Sequence, residues 1–445
     1  MQRKPTAGIS ILAPGLYAAL LALFIFPATQ AVAGDGPKGP EHRYRNPGYS
    51  NQDGYNSENA YGIKNLAYYG DWDSNRVFII DVDEMSLVTI VENTGDGPYG
   101  IDQQGSTKAY ALTRKTESLT VVDNYEIENA GEIPLEHKPR STHFNSNTGL
   151  TLVAGADKVM TSIIRVKHDK VVKVMGYTEL AQPHDYGGSL ATGHPMWVDD
   201  ERFLMLDRDE REIQLWDRRG KLLSVLETPT SVHHVFQSPL DMQKNKMTFY
   251  AVAEGNRDEL VSPSILRFKI HRGKMRISGE AVLSEYDTEV LDVTIMGSHH
   301  ADFHPDGVHI YIGSAEGHVF VVNKNTMKII TMIDTGKGSG HTTFIPMHDL
   351  AIVTNHNDTH MTVIDTVEHK KLQDIEVASS ADPTYKSQSH TSGVSADMQY
   401  FYSAASHDGE FFEIDLNTLE VSRRVYLGGN VLMGSFIWDG DAENM

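Results

Sequence analysis

From about Asn65 onward, short runs of alternating apolar and polar residues are separated by turn residues, four runs at a time. The clearest unit starts at His300. His-Ala-Asp-Phe is followed by the turn His304-Pro305-Asp306-Gly307, then Val-His-Ile-Tyr-Ile-Gly, His-Val-Phe-Val-Val-Asn and Met-Lys-Ile-Ile-Thr-Met-Ile-Asp. A period of two bounded by Pro, Asp, Gly and Asn predicts strands joined by tight turns. The unit recurs from His341 and from His390. Earlier copies carry Ser118-Leu-Thr-Val-Val-Asp and Arg76-Val-Phe-Ile-Ile-Asp. Almost nothing has the period of a helix.

Unit starts fall near Asn65 and Tyr99, then at His143, His194, His233, His299, His341 and His390. The intervals are mostly the roughly 40–50 residues of a four-stranded propeller blade. A longer gap before His299 holds a polar insertion around Gly255-Asn-Arg-Asp-Glu-Leu. The chain therefore reads as an all-β propeller over residues 63–445, with eight blades, or seven if one weak unit is not a blade. The unit near Asn65 lacks a first strand. Val431-Leu-Met-Gly-Ser-Phe-Ile-Trp at the other end is expected to supply it and close the ring.

The repeats also align histidines. They stand in Thr142-His143-Phe144, Gly193-His194-Pro195, Val232-His233-His234-Val235, Ser298-His299-His300-Ala301, Gly340-His341-Thr342 and Ser389-His390-Thr391. In a propeller the first strand of each blade lines the axial channel, so register-matched side chains converge there. The expected metal ligands are thus His143, His194, His233, His234, His299, His300, His341 and His390. Adjacent strand residues point to opposite faces, so each His-His doublet needs a bulge or a strand start for both rings to reach the axis. Neutral imidazole suits zinc, copper, iron or nickel. Asp302 or Asp185 could add oxygen ligands, and Lys337 and Lys386 could add positive charge for an anion. The competing reading makes each histidine a latch to a neighbouring blade's carbonyl. Taken singly, His137, His168, His271, His304, His309, His318, His369 and His407 read as structural or solvated. His356 and His360 read as loop residues.

Composition narrows the chemistry. The chain has no cysteine and 21 histidines among its 445 residues. Disulfides, iron–sulfur clusters, c-type haem, cysteine-ligated copper and thiolate zinc are excluded. A formal net charge of -21 argues against nucleic acid or anionic lipid as partner. Residues 1–33 read as a secretory signal: Arg3 and Lys4, an apolar stretch from Leu16 to Ala28, and Ala31-Val32-Ala33 before Gly34. That apolar stretch is short for a membrane span, an uncleaved anchor being the alternative. No later stretch could cross a bilayer. Residues 34–62, rich in Gly, Asn, Pro and Tyr, read as a flexible arm. The expected location is the periplasm. No nucleophile elbow, phosphate loop or dinucleotide fingerprint stands in a suitable context.

Val321-Val-Asn-Lys-Asn-Thr-Met-Lys328 and Tyr311-Ile-Gly-Ser314 resemble the YVTN-type repeats of exported bacterial propellers. Pro139-Arg-Ser-Thr-His143-Phe144 and the His-His doublets resemble periplasmic zinc metallochaperones that serve zinc importers. An axial histidine ring is also similar to the copper-holding propellers of nitrous oxide reductases and thiocyanate dehydrogenases. The chain lacks the cupredoxin domain of the reductases, and it lacks the flexible His/Asp tract of some metallochaperones. Together these imply a periplasmic protein binding zinc or copper, working in metal handling or delivery. A metal-transport or electron-transfer protein would be its partner. The alternatives are a copper oxidoreductase acting on a small molecule or anion, and an interaction scaffold without metal.

Overall fold

The computed structural model describes residues 54–55, 59–180, 191–285, 297–298, 300–381 and 386–439. Residues 1–33, read above as a secretory signal, most of residues 34–62, Asp185 and His299 lie outside them. The described residues form eight antiparallel sheets, one per blade of an eight-bladed propeller. Blade 1 pairs the C-terminal strand Val431–Trp438 with Leu66–Asp71, Arg76–Asp81 and Ser86–Glu92. Blades 2 to 8 begin with innermost strands Pro98–Gln103, Pro139–Asn145, Met196–Trp197, Val232–Phe236, Ala301–Phe303, Ser339–Ile345 and Gly393–Val394. The expected closure is present: Leu66 pairs with Ile437 and Tyr68 with Ser435. Gly54–Tyr55 adds a parallel fifth strand against Ile437–Trp438.

Strand alternation builds the core between blades. In blade 7, Ile352 and Val363 pack toward Phe401, Phe412 and Ile414 of blade 8. Their neighbours Val353 and Ile364 pack the opposite way, against Tyr311, Val319 and Val321 of blade 6. Middle strands are therefore apolar on both faces. Outermost strands such as Lys370–Glu376 are exposed except for one anchor, Ile375.

The turn into the outermost strand uses the same chemistry in blades 1, 2, 6, 7 and 8. The carboxylate or amide at the end of the third strand accepts backbone N–H groups two and three residues on. Asp81, Asp123, Asn323, Asp365 and Asp415 all do this. It is the local bonding that favours Asx turns. The fourth residue after each cap sits in the left-handed region: Met85, Ile127, Met327, His369 and Leu419.

All eight residues of Val431–Trp438 are buried. Ending the chain after Asn430 would leave blade 1 without its channel strand. At about 1.5–3 kcal/mol per large buried side chain, losing Leu432, Phe436, Ile437 and Trp438 removes about 6–12 kcal/mol. That is comparable to the roughly 5–15 kcal/mol net stability of a domain. The truncated chain is expected to show no cooperative thermal transition by circular dichroism.

Candidate metal centre on the propeller axis

One backbone bond recurs in every blade and sets the register of the site. The N–H of the residue at or just past the end of the second strand donates to a carbonyl leading the innermost strand. The pairs are Trp72–Asn430, Arg114–Gly97, Ala156–Lys138, Arg208–Ala191, Glu254–Ser231, Ala315–Gly297, His356–Gly338 and Ser406–Ser387. Three residues beyond the accepting carbonyl stand Met433, Gly100, Ser141, His194, His234, His300, His341 and His390. Five consecutive blades, 4 to 8, thus place histidine at one structural position. The donors make a second tier of one residue per blade, and His356 belongs to it.

The structure brings seven histidines together. His194 and His233 face each other, with Nε2 atoms 3.2 Å apart and ring centroids at 4.9 Å. His234 lies 6.2 Å from His194 and stacks on Phe236. His233 is 5.2 Å from His300, which packs on His341 at 3.7 Å. His356 stacks on His390 at 3.8 Å and an interplanar angle of 20°. Ligand nitrogens of His300, His356 and His390 all lie within 4.8 Å of one another. Tetrahedral zinc with bonds of about 2.0–2.1 Å sets its nitrogens roughly 3.3 Å apart. The His194–His233 pair already has that spacing, while the trio closes on one ion by turning its rings.

The doublet in blade 5 works through a bulge. Pairing with the second strand shifts between Val232 and His234, leaving His233 as the extra residue. Both rings therefore reach the buried group, as the sequence required. Blade 7 has the same irregularity between Ser339 and Thr342. Gly340 is demanded there, because a Cβ on it would stand 2.1 Å from His356 Nε2. Gly193 is similar: its Cβ would meet the His233 carbonyl at 2.4 Å. Gly340→Ala is expected to keep the fold but displace His356. Metal affinity should fall at least about tenfold, or about 1.4 kcal/mol, in a calorimetric zinc titration. Unchanged affinity would remove His356 from the ligand set.

Burial fixes the protonation state. It holds His341 at a pKa of about 3. It also holds His194 well below the ordinary imidazole value, with His233 and Arg140 adding to the effect. Both rings are neutral near pH 7, the form that binds metal. Glu254 Oε1 lies 3.4 Å from His233 Nδ1, and Arg208 grips Glu254 through Nε and Nη2 at 2.7–3.0 Å. A carboxylate at Nδ1 leaves Nε2 available as the ligand atom, the arrangement that orients metal-binding histidines.

His143 occupies a different place. Thr142 N–H donates to Asp102 Oδ2 as Thr342 N–H donates to Asp302 Oδ2, both at 2.8 Å. The counterpart of His341 in blade 3 is thus Ser141, and His143 stands two residues farther along the strand. Its Nδ1 accepts the Trp197 backbone N–H at 3.4 Å and its carbonyl accepts the Trp197 indole at 3.0 Å, joining blades 3 and 4. Asp302 is buried and engaged with that backbone amide. Lys337 is exposed, and Lys386 donates to Asn357 at 3.2 Å.

A second cluster forms between blades 6 and 7 from residues that read singly as structural. His304, Asp306 and His309 place ligand atoms within 4.8 Å. His369 sits 4.9 Å from His309, its Nδ1 2.7 Å from Tyr311 OH. Asp306 caps the turn at Val308 and His309. Burial opposes its charge. The bonds from His304, His309 and Val308 outweigh that, holding the carboxyl well below its usual range.

The chain matches no known family model and no curated protein sequence. Among solved structures it resembles apo AztD from Citrobacter koseri. That pair shares 11% identity and a TM-score of 0.56, covering 84% of this chain and 97% of the other. It also resembles the dihydro-heme d1 dehydrogenase NirN in complex with DHE, at 13% identity and a TM-score of 0.60 over 90% of this chain and 82% of NirN. The computationally designed Ika8 protein matches at 10% identity and 0.54, covering 83% and 93%. At such identities the likeness establishes the propeller fold alone.

Proposed function

We propose that this protein binds a transition-metal ion, zinc or copper, at the axial histidine cluster and acts in metal handling or delivery. The observation that carries the reading is the convergence of His300, His356 and His390, from three consecutive blades, on one group of ligand nitrogens within 4.8 Å. His194, His233, His234 and His341 adjoin them and could bind further ions or relay one. The absent cysteines exclude thiolate donors, and imidazole nitrogen suits zinc or copper. His299 and His143 remain candidates from the sequence, His143 at a more distant strand position.

Export to the periplasm, with cleavage near Gly34, belongs to the same proposal. Among the described residues no helix is long and apolar enough to cross a membrane. Delivery would require a periplasmic metal-transport or electron-transfer partner. A copper oxidoreductase acting on a small anion is the second reading. Two adjoining imidazole groups beside Arg208 and the half-buried Arg114 and Arg140 favour it, since they offer a polynuclear centre and an anion contact. The readings separate by the metal held after purification. One exchangeable zinc supports delivery. Several tightly held coppers with visible absorbance support the enzyme. A chain that holds and takes up no metal supports an interaction scaffold.

A further inference from the structure

The channel wall beside the axial histidines carries arginines from blades 2, 3 and 4. Arg114 and Arg208 belong to the second tier of blades 2 and 4. Arg140 lies in the innermost strand of blade 3. Arg114 Nη2 donates to the Arg140 carbonyl at 3.0 Å, and its guanidinium stacks on the Tyr99 ring at 3.4 Å. Tyr99 in turn lies 6.3 Å from His390. Arg140 Nη2 lies 3.4 Å from His233 Nδ1. The guanidiniums and imidazoles therefore border one space.

Among the described residues the three guanidiniums outnumber the carboxylates beside them. Glu254 is gripped by Arg208 through paired bonds and also faces His233 Nδ1 at 3.4 Å. Asp102 is buried, and burial pushes its pKa up to about 7, so it supplies only part of a negative charge at neutral pH. Arg140 and Arg114 keep buried Nε atoms with no hydrogen-bond partner among the described residues. Arg114 and Arg140 are themselves half-buried, and a planar guanidinium fork with an open donor matches an oxyanion or carboxylate.

We propose that Arg114, Arg140 and Arg208 form a binding site for a small oxyanion or carboxylate, beside the axial histidines. The site does not depend on a metal. Arg140 and Arg114 supply the open donors, Arg208 adds field while holding Glu254, and Tyr99 supplies a rigid wall.

The test titrates the chelator-treated full chain with inorganic sulfate, phosphate and acetate by calorimetry, with chloride holding ionic strength constant. Saturable binding of one anion per chain is expected, weakened at least tenfold in Arg140→Gln and in Arg114→Gln. Arg140→Lys should fall between, since it keeps the charge and loses the fork. Circular dichroism confirms that each variant folds, and either glutamine variant alone suffices. Equal affinity in wild type and a folded glutamine variant overturns the proposal. So does binding that appears only after zinc or copper is added, which would mean that the metal holds the anion. No saturable binding of any of the three anions also overturns it.

Discussion

Replacing His356 and His390 together with alanine is expected to weaken zinc or copper binding by at least about 100-fold, or about 2.7 kcal/mol at about 1.4 kcal/mol per tenfold. The two rings stack at 3.8 Å, and each shares a ligand group with His300. Removing both leaves that group with one of its three nitrogens. The control is His271→Ala, on an exposed position at the end of a blade 5 strand, which should bind as wild type does. Calorimetric titration of the two variants side by side decides. Equal affinities would place the metal elsewhere, and the cluster at His304, Asp306, His309 and His369 would be the next position to alter.

Buried neutral histidines are expected to cost the metal-free protein stability as pH falls from 7 to 5. The His341 pKa is depressed to about 3 in the fold, against about 6.5 in an unfolded chain. Between these values the unfolded state holds a proton that the folded state lacks, so stability falls as pH falls. From pH 7 to pH 5 this group alone costs about 2 kcal/mol, at about 1.4 kcal/mol per pH unit below 6.5. His194 acts with the same sign. Asp102 acts with the opposite sign. Its raised pKa stabilises the fold at acid pH and removes that contribution as pH climbs from about 4 toward about 7. Denaturant melts at pH 7 and pH 5 measure the sum, and His341→Asn should flatten the profile on the acid side. Because Asp102 opposes the histidines, the variant decides: a His341→Asn protein whose midpoint moves with pH just as the wild type's does would contradict the burial of a neutral His341. Bound metal should restore stability at pH 7, because it binds only the folded chain.

The repeat was readable in the sequence because each strand carries its own period and each turn its own cap. The eight units and the closing strand Val431–Trp438 follow from local pattern alone, whereas at His233 the sequence left open a bulge or a strand start and only the strand pairing shows the bulge. The site was readable only where it lies on that pattern. His194, His234, His300, His341 and His390 share one position after the backbone anchor, which the histidine spacing approximates. His143 lies two residues past it, an offset that only pairing with Asp102 reveals. His356, Arg114 and Arg208 escaped because they belong to a second tier at the ends of the second strands, where a sequence shows only a loop beginning. Asn355-His356, Thr113-Arg114 and Asp207-Arg208 all carry that signal: a polar residue, then a chemically active one, just where a strand ends. Gly340 was a further sign, since a glycine leading a channel strand marks the approach of a neighbouring side chain.

The most direct test of the axial site is the metal content of the full chain, purified without added metal or chelator. It would be measured by mass spectrometry beside a variant carrying alanine at His300, His356 and His390. The account predicts at least about one zinc or copper per wild-type chain and loss of that metal in the folded variant. A wild-type chain that is metal-free and takes up neither ion on titration would contradict it, as would a variant that retains the full complement.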